Sequence, residues 1–236
     1  MTDLSELRFF QTAAHDCGYL ADKQASNIFV DPQQQLSGSL YSTLSAFGFR
    51  RSGQHVYKPR CASCQACQPM RVLTELFTAN RSQRRCMKRN EDLSCELRRD
   101  IDTDEHYELY ARYIQARHRD GEMYPPKRDQ FQEFLADAWG ITRYLCFRDQ
   151  QQKLLSVAVI DLLSDGISAM YSFFDPDEDK RSLGSFNVLF QILWARQHQL
   201  PHLYLGYLIK ECRKMAYKAQ YRPYQLLHDG HWRSYD

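Results

Sequence analysis

Three apolar runs stand almost end to end in the second half of the chain: TRYLCFRD (142–149), KLLSVAVIDLLS (153–164) and GISAMYSFFD (166–175). Each has strand length, and short polar turns separate them. Parallel neighbours need a crossover of a dozen or more residues, so runs this close must pair antiparallel. The chain is therefore expected to contain a meander, and the flanking segments have to be compatible with one.

They are. CELRR (95–99) alternates like a strand, and DTDEHYELYARYIQARH (102–118) reads as a helix with Asp and Thr near its start as N-caps. DGEMYPP (120–126) breaks it, and RDQFQEFLADAW (128–139) places Phe131, Phe134, Leu135 and Ala138 on one face of a second helix. After the meander come a helix over 183–198, a strand over 202–209, a helix over 210–222 that Pro223 ends, and a last strand, YQLL (224–227). The order from residue 93 is β-α-α-β-β-β-α-β-α-β. It resembles the acyltransferase fold of the GCN5-related N-acetyltransferases, which implies an α+β domain over 93–236. Residues 1–92 are rich in turns, cysteines and basic groups, and form a smaller Cys-containing N-terminal domain in this reading. There DPQQQLSG (31–38) is a loop, and GFRRSGQHVYKPR (48–60) suggests a hairpin about Ser52–Gly53.

With 236 residues and 43% hydrophobic composition the chain can bury a core, and its net charge of +2 means that an anionic partner must be met by a local patch. The opening MTDLSELRFFQTAAHD has no basic segment followed by an apolar one, so no signal peptide is expected. LLSVAVI (154–160) is far too short to cross a bilayer. A cytoplasmic protein without a membrane partner is the expectation, and a reducing cytosol makes disulfides among the eight cysteines unexpected.

Two basic runs supply such a patch. Placed on a helix at about 100° per residue, Lys210, Arg213, Lys214, Tyr217, Lys218 and Tyr221 share one side of 210–222, and Cys212, Met215, Ala216 and Ala219 the other. Cations beside aromatic faces suit unpaired nucleotides. NRSQRRCMKRN (80–90) repeats basic residues at three- and four-residue spacing, fit for a phosphate backbone or an acidic peptide. CASCQAC (61–67) is a C-x2-C-x2-C run whose thiolates could share zinc or an iron–sulfur cluster, with Cys17 as the first choice for a fourth ligand beside Cys61, Cys64 and Cys67. FFDPDEDKRSLGSFN (173–187) leads from a strand end into a helix start with Ser182 as N-cap; its lone Gly184 argues against a coenzyme A cradle. HDGHW (228–232) reads as a loop.

Together, YSFFDPDEDKRSLGSFN, YLGYLIKECRKMAYKAQYRP and the N-terminal CGYL…FVDP…GFRRSG…Y-x-P-x-C-x2-C-x2-C-x-P resemble the aminoacyl-tRNA–protein transferases. They are most similar to the short bacterial aspartate/glutamate leucyltransferases, relatives of the eukaryotic arginyltransferases. The resemblance implies transfer of leucine from leucyl-tRNA to the α-amine of proteins beginning with Asp or Glu, marking them for degradation. The eukaryotic C-G-Y-C is here Cys17-Gly18-Tyr19-Leu20, so one potential ligand is gone.

Aminolysis of an ester runs downhill and requires no cofactor. It needs an amine with its proton removed, a donor for the carbonyl oxygen and a proton for the leaving hydroxyl. Tyr171, Asp175, Tyr207 and Glu211 are the candidates for proton handling. Arg50, Arg51, Arg84 or Arg85 would read the acceptor's carboxylate, since Arg forms the better fork. Lys210, Lys214, Lys218 and Arg222 would serve the tRNA end, with the two sets exchangeable, and Ser182, Leu183 and Gly184, which match the family's motif, are further substrate-binding candidates. An acetyl-coenzyme A-dependent transferase, arginyl-tRNA as the donor, and a non-catalytic tRNA- or degron-binding module are the rival readings.

Overall fold

The computed structural model describes residues 4–136 and 139–236. Ala138, placed above on a helix face, and the first three residues of the opening segment lie outside the described residues. In chain order, strands β1 (Phe9–Gln11), β2 (His15–Asp16), β3 (Gln24–Ala25) and β4 (Asn27–Val30) precede helix α1 (Gly38–Ala46). Then come β5 (Arg50–Ser52), β6 (His55–Pro59), β7 (Gln68–Leu73), α2 (Arg81–Arg89), β8 (Ser94–Arg98), α3 (Asp104–Arg117) and α4 (Arg128–Phe131). The meander is β9 (Thr142–Arg148), β10 (Leu154–Leu163) and β11 (Gly166–Phe174), followed by α5 (Leu183–Gln197), β12 (His202–Leu208), α6 (Arg213–Ala216), β13 (Tyr224–His228) and β14 (His231–Tyr235). The result is a mixed α+β protein made of two compact units. One takes Met1–Thr78, Leu163–Gly166 and Leu200–Asp236, and the other Ala79–Leu162 and Ile167–Gln199.

The second unit holds the meander. Its strands lie in the order β11-β10-β9-β8, with Val157 opposite Cys146 and Leu145 opposite Leu97. Leu154 through Asp161 are all buried, as a strand covered on both faces must be, and this explains the unbroken apolar run in the sequence. On one face Tyr110 and Ile114 of α3, with Phe131 and Leu135, pack against Tyr144, Cys146, Val157 and Phe173. Side chains alternate along a strand, so Phe147 points the other way, where Phe186 and Phe190 of α5 meet it edge-on at 5.0 and 4.8 Å. The second expected helix is α-helical only to Phe131 and continues as a wider π turn over Gln132–Ala136. The buried Tyr144 hydroxyl donates to the Leu135 carbonyl at 2.6 Å within that turn. Here tertiary hydrogen bonding, invisible to periodicity, reshapes the last turns.

The first unit has a four-stranded antiparallel sheet, β1-β4-β6-β5, a two-stranded pair, β2-β3, and a run of strands β14-β13-β7-β12 in which β7 pairs antiparallel with both β12 and β13. The hairpin at Ser52–Gly53 is present. HDGHW, read as a loop, is instead the turn and start of the β13–β14 hairpin, with His228 opposite His231. Asp229 and Gly230 both have positive φ, the backbone that a two-residue Asp-Gly hairpin turn requires. The helix expected over 210–222 is likewise corrected. Only Arg213–Ala216 is α-helical, and a 3-10 turn, Tyr217–Gln220, follows. Lys218 and Tyr221, predicted on the outward face, are buried. The tighter turn rotates them inward, where Lys218 satisfies a main-chain carbonyl at the end of β12.

Asp175, at the end of β11, ties the second unit's main loop to its sheet. Its carboxylate is fully buried and takes two bonds from Arg112, at 3.0 and 3.1 Å, and one from Lys153 at 2.8 Å. Burial pushes its pKa up, but the bonds from Lys153 and Arg112 outweigh that and hold it below the ordinary value of 3.8. A depressed carboxylate stabilises the fold fully above its unfolded pKa, and loses that contribution as pH falls through its folded pKa. Asp175→Asn is expected to cost about 3 kcal/mol at pH 7 by urea denaturation, and the difference from the unmodified chain should vanish in strong acid.

Candidate active site

The register of β12 against β7 shifts between Tyr204 and Gly206. Gly206 at this bulge has φ +79°, and a Cβ there would stand 3.3 Å from Nε of Arg50. Glycine therefore does two things at once: it adopts the left-handed backbone, and it leaves room for a guanidinium to lie across the strand. Arg50 is held by a bond from Nη1 to the Tyr204 carbonyl at 3.2 Å. Its neighbour Arg51 points to the opposite side of β5, as strand alternation requires. Arg51 is buried and donates to the Gly53 carbonyl at 2.8 Å.

One residue past Gly206, the buried Tyr207 hydroxyl donates to the Gly48 carbonyl at 2.9 Å. Its ring lies 6.2 Å from that of Tyr57. Burial, then the neighbouring Tyr57, pushes the Tyr207 pKa well above its ordinary value, so the hydroxyl keeps its proton and acts as a donor. The Tyr207 carbonyl accepts from Nζ of Lys218 at 2.8 Å. Lys218 is 8% exposed and has no carboxylate within ion-pair distance among the described residues. Burial, reinforced by the Arg50 charge, brings its pKa down to about 7. Arg50, Tyr207 and Lys218 thus form one cluster.

Beside it opens a cavity of about 420 Å³ whose lining includes Cys17, Tyr19, Cys61, Cys64, Cys67 and Ile209. All four thiols are free. Burial pushes Cys67 up to about 11, and Cys61, Cys17 and Cys64 add to the shift. Burial likewise raises Tyr19 to about 12. The donor set has the chemistry for zinc or an iron–sulfur cluster. Among the described residues, however, no three His, Cys, Asp or Glu side chains stand in a geometry that holds an ion.

The remaining sequence candidates are dispersed. Lys210, Glu211 and Lys214 are exposed beyond β12, and Arg222 lies over the Tyr224 ring at 5.2 Å. In the second unit, Ser182 does sit at the start of α5. It has a left-handed φ of 55° and makes no side-chain cap, which corrects the capping role expected of its hydroxyl. Leu183 is buried, and a Cβ on Gly184 would press to 3.2 Å from the Phe174 ring. That glycine serves close packing. Tyr171 packs its ring edge-on to Phe134 at 5.4 Å, and its buried hydroxyl has no partner among the described residues. Asp175 is committed to Arg112 and Lys153. Arg84 and Arg85 project from α2 into solvent. Tyr19 and Tyr57 are site neighbours to which the sequence alone assigns no role. Their signal was present in CGYL and in the alternation of HVYKP, where apolar and polar positions exchange sides.

Comparison with known proteins identifies the family. The family model described as the C terminus of arginine-tRNA-protein transferase matches residues 105–228, and the N-terminal model matches residues 15–85. The chain is 54% identical, over 98% of both chains, to the aspartate/glutamate leucyltransferase of Saccharophagus degradans. It is 54% identical to that of Teredinibacter turnerae, over 100% of this chain and 97% of the relative. Among solved structures, that of L-PGS from Bacillus licheniformis aligns with a TM-score of 0.51 at 12% identity, over 80% of this chain and 61% of that one. The last comparison speaks to the fold alone.

Lys218 gives a pH signature. A lysine whose folded pKa is lowered opposes folding wherever the unfolded chain is protonated. The penalty is full below about pH 7 and is relieved as pH rises toward the ordinary value of 10.5. Lys218→Met, which removes the charge and keeps the length, should raise the thermal midpoint relative to the unmodified chain at pH 6. That gain should shrink steadily by pH 10, as followed by circular dichroism.

Proposed function

We infer that the chain, which belongs to the arginine-tRNA-protein transferase family, is a leucyltransferase: it moves leucine from leucyl-tRNA to the N-terminal amine of proteins that begin with Asp or Glu. The observation that carries this is similarity over the full length to proteins of that name at 54% identity. The acceptor product, a protein with a new N-terminal leucine, is marked for degradation. No helix among the described residues is long and apolar enough to cross a membrane, which accords with a cytoplasmic enzyme.

The chemistry asks for little beyond placement. An α-amine has a pKa near 7.8, so roughly a tenth to a quarter is neutral near pH 7 without help. Holding that amine against the ester supplies much of the rate. The acceptor's first residue enters the cavity of the first unit. Arg50, fixed over Gly206, provides the fork for its carboxylate, and Arg51, turned to Gly53, supports the hairpin. Tyr207 retains its proton and orders the Gly48 turn, and in this reading Glu211, exposed just past β12, takes a proton from the ammonium. Lys210, Lys214 and Arg222 offer exposed cations to the unpaired tRNA end. Ser182, Leu183 and Gly184 open α5, whose first amides favour an anion, and Tyr171 and Asp175 stand in the same unit as proton-handling alternatives. The acyltransferase fold of the GCN5-related enzymes is the fold assigned to this arrangement. The four thiols have the donor chemistry for zinc or an iron–sulfur cluster but not the geometry to hold one as they stand, and neither is required for the aminolysis.

The deciding assay offers radiolabelled leucyl-tRNA and arginyl-tRNA to peptides starting with Asp, Glu, Arg or Ala. Label is expected to move from leucyl-tRNA to the Asp and Glu peptides alone. Movement from arginyl-tRNA would change the donor, and none from either would turn the chain into a binding module. Arg50→Gln should raise the KM for an Asp-initiated peptide by about 10- to 100-fold, the loss of one charge-assisted fork, with a smaller change in kcat.

A further inference from the structure

Helix α2 is the most one-sided charged element among the described residues. Arg81, Arg84, Arg85, Lys88 and Arg89 fall within an arc of roughly 140° at 100° per residue, and all are exposed. Gln83, Cys86 and Asn90 occupy the opposite, buried side. The helix is built to keep this face outward. Asn80 and Gln83 form a reciprocal capping box at its start. On the inner side, Cys86 Sγ donates to the Ser182 carbonyl at 3.7 Å, and Asn90 Nδ2 to the Arg181 carbonyl at 2.9 Å. Arg89 donates to the Lys180 carbonyl. The helix is thereby pinned to the loop that precedes α5, and Lys180 stands exposed beside it.

The cations of α2 also differ from other arginines of the same unit. Arg98, Arg112, Arg117, Arg128, Arg148 and Arg181 each pair with an Asp or Glu. The acids of the neighbouring turn, Asp177, Glu178 and Asp179, are engaged by Arg112, Arg181 and Arg117. None of the five α2 cations is in an ion pair among the described residues. Like charges at three- and four-residue spacing repel along a helix, so this face is least favourable alone and gains most from a polyanion. It carries no apolar side chain that could enter a lipid surface, since its partly buried Met87 lies on the flank.

We propose that the exposed face of α2, with Lys180, is the docking surface for the phosphate backbone of the donor tRNA's base-paired acceptor arm. This rests on the leucyl-tRNA reading above and deepens it. It also moves Arg84 and Arg85 from reading the acceptor's carboxylate to holding the donor. They lie on an open helix face, where a rigid phosphate track fits and a single carboxylate would find no enclosing pocket. Phosphate contacts position a nucleic acid without reading its sequence, so specificity for leucine lies elsewhere.

The test uses the full chain and uncharged tRNA, with a hairpin of the acceptor stem as a second probe, by fluorescence anisotropy from 50 to 200 mM salt. Arg81→Glu/Arg85→Glu/Lys88→Glu should weaken binding to both probes by roughly 30-fold or more and lower the salt slope by about 2 to 3. The swap Arg81→Lys/Arg85→Lys/Lys88→Arg, which keeps the charge and changes the shape, should bind within about threefold of the unmodified chain. Thermal melts of both variants confirm folding. Unchanged binding by the reversal variant, or an equal loss in the swap, overturns the proposal. So does binding of the unmodified chain to vesicles of anionic lipid, or to a polyglutamate peptide, as tightly as to the stem hairpin. The two readings fail separately. A chain that binds tRNA through α2 but transfers no leucine loses the enzymatic reading, and one that transfers leucine with α2 irrelevant loses only the dock.

Discussion

Most of the first unit's site depends on a hydrogen bond between a buried lysine and a main-chain oxygen. Lys218 donates to the carbonyl of Tyr207, and that contact keeps an otherwise unmatched cation tolerable in the interior. It also fixes the turn after β12, and so where the exposed Lys210, Glu211 and Lys214 emerge. On the other side of the same strand segment, Gly206 admits Arg50 and Tyr207 reaches Gly48. A few residues of β12 and the turn beyond it therefore connect the hairpin of the two arginines, the thiol wall and the basic turn. Replacing any of them moves the others, because their bonds end on the same backbone.

Electrostatically the site is held off balance. Arg50 and Lys218 repel, Cys67 and its neighbours resist ionising together, and Tyr19, Tyr57 and Tyr207 are all pushed toward their protonated forms. Clusters of perturbed groups beside a cavity are a common mark of functional sites. The second unit is the reverse case. Its buried carboxylate, Asp175, is matched by Arg112 and Lys153, and six of its arginines pair with an Asp or Glu.

The meander, the helices α3 and α5 and the strand β12 were legible because their apolar periods are long and their boundaries carry turn or cap residues. Thr103 caps α3 as its sequence suggests. The failures have a common cause. The 210–222 segment has helical spacing, yet a strand-end carbonyl claims Lys218. The 128–139 segment has a helical face, yet Tyr144 captures the Leu135 carbonyl. Each is a long-range hydrogen bond overriding a local pattern, and nothing within the segment announces it. HDGHW is a different failure, since Asp-Gly between alternating residues is a hairpin signal that can be read locally. In the site, Arg50, Tyr207 and Lys218 could be named, but Tyr57 is brought beside them by strand pairing, and Tyr19 by the segment between two short strands.

The interleaving of the units has a consequence for synthesis. Strand β7 is flanked by β12 and β13, so its pairing edges stay open until residues beyond 200 leave the ribosome. At translation speeds that interval is roughly 8 to 30 s. The intervening segment 79–199, apart from the tip at 163–166, can fold during that wait, while the nascent thiols of 61–67 have no cavity to line. The thiols of 61–67 are made early and sheltered late, so oxidants or metal ions met during elongation can act on them before the finished enzyme exists.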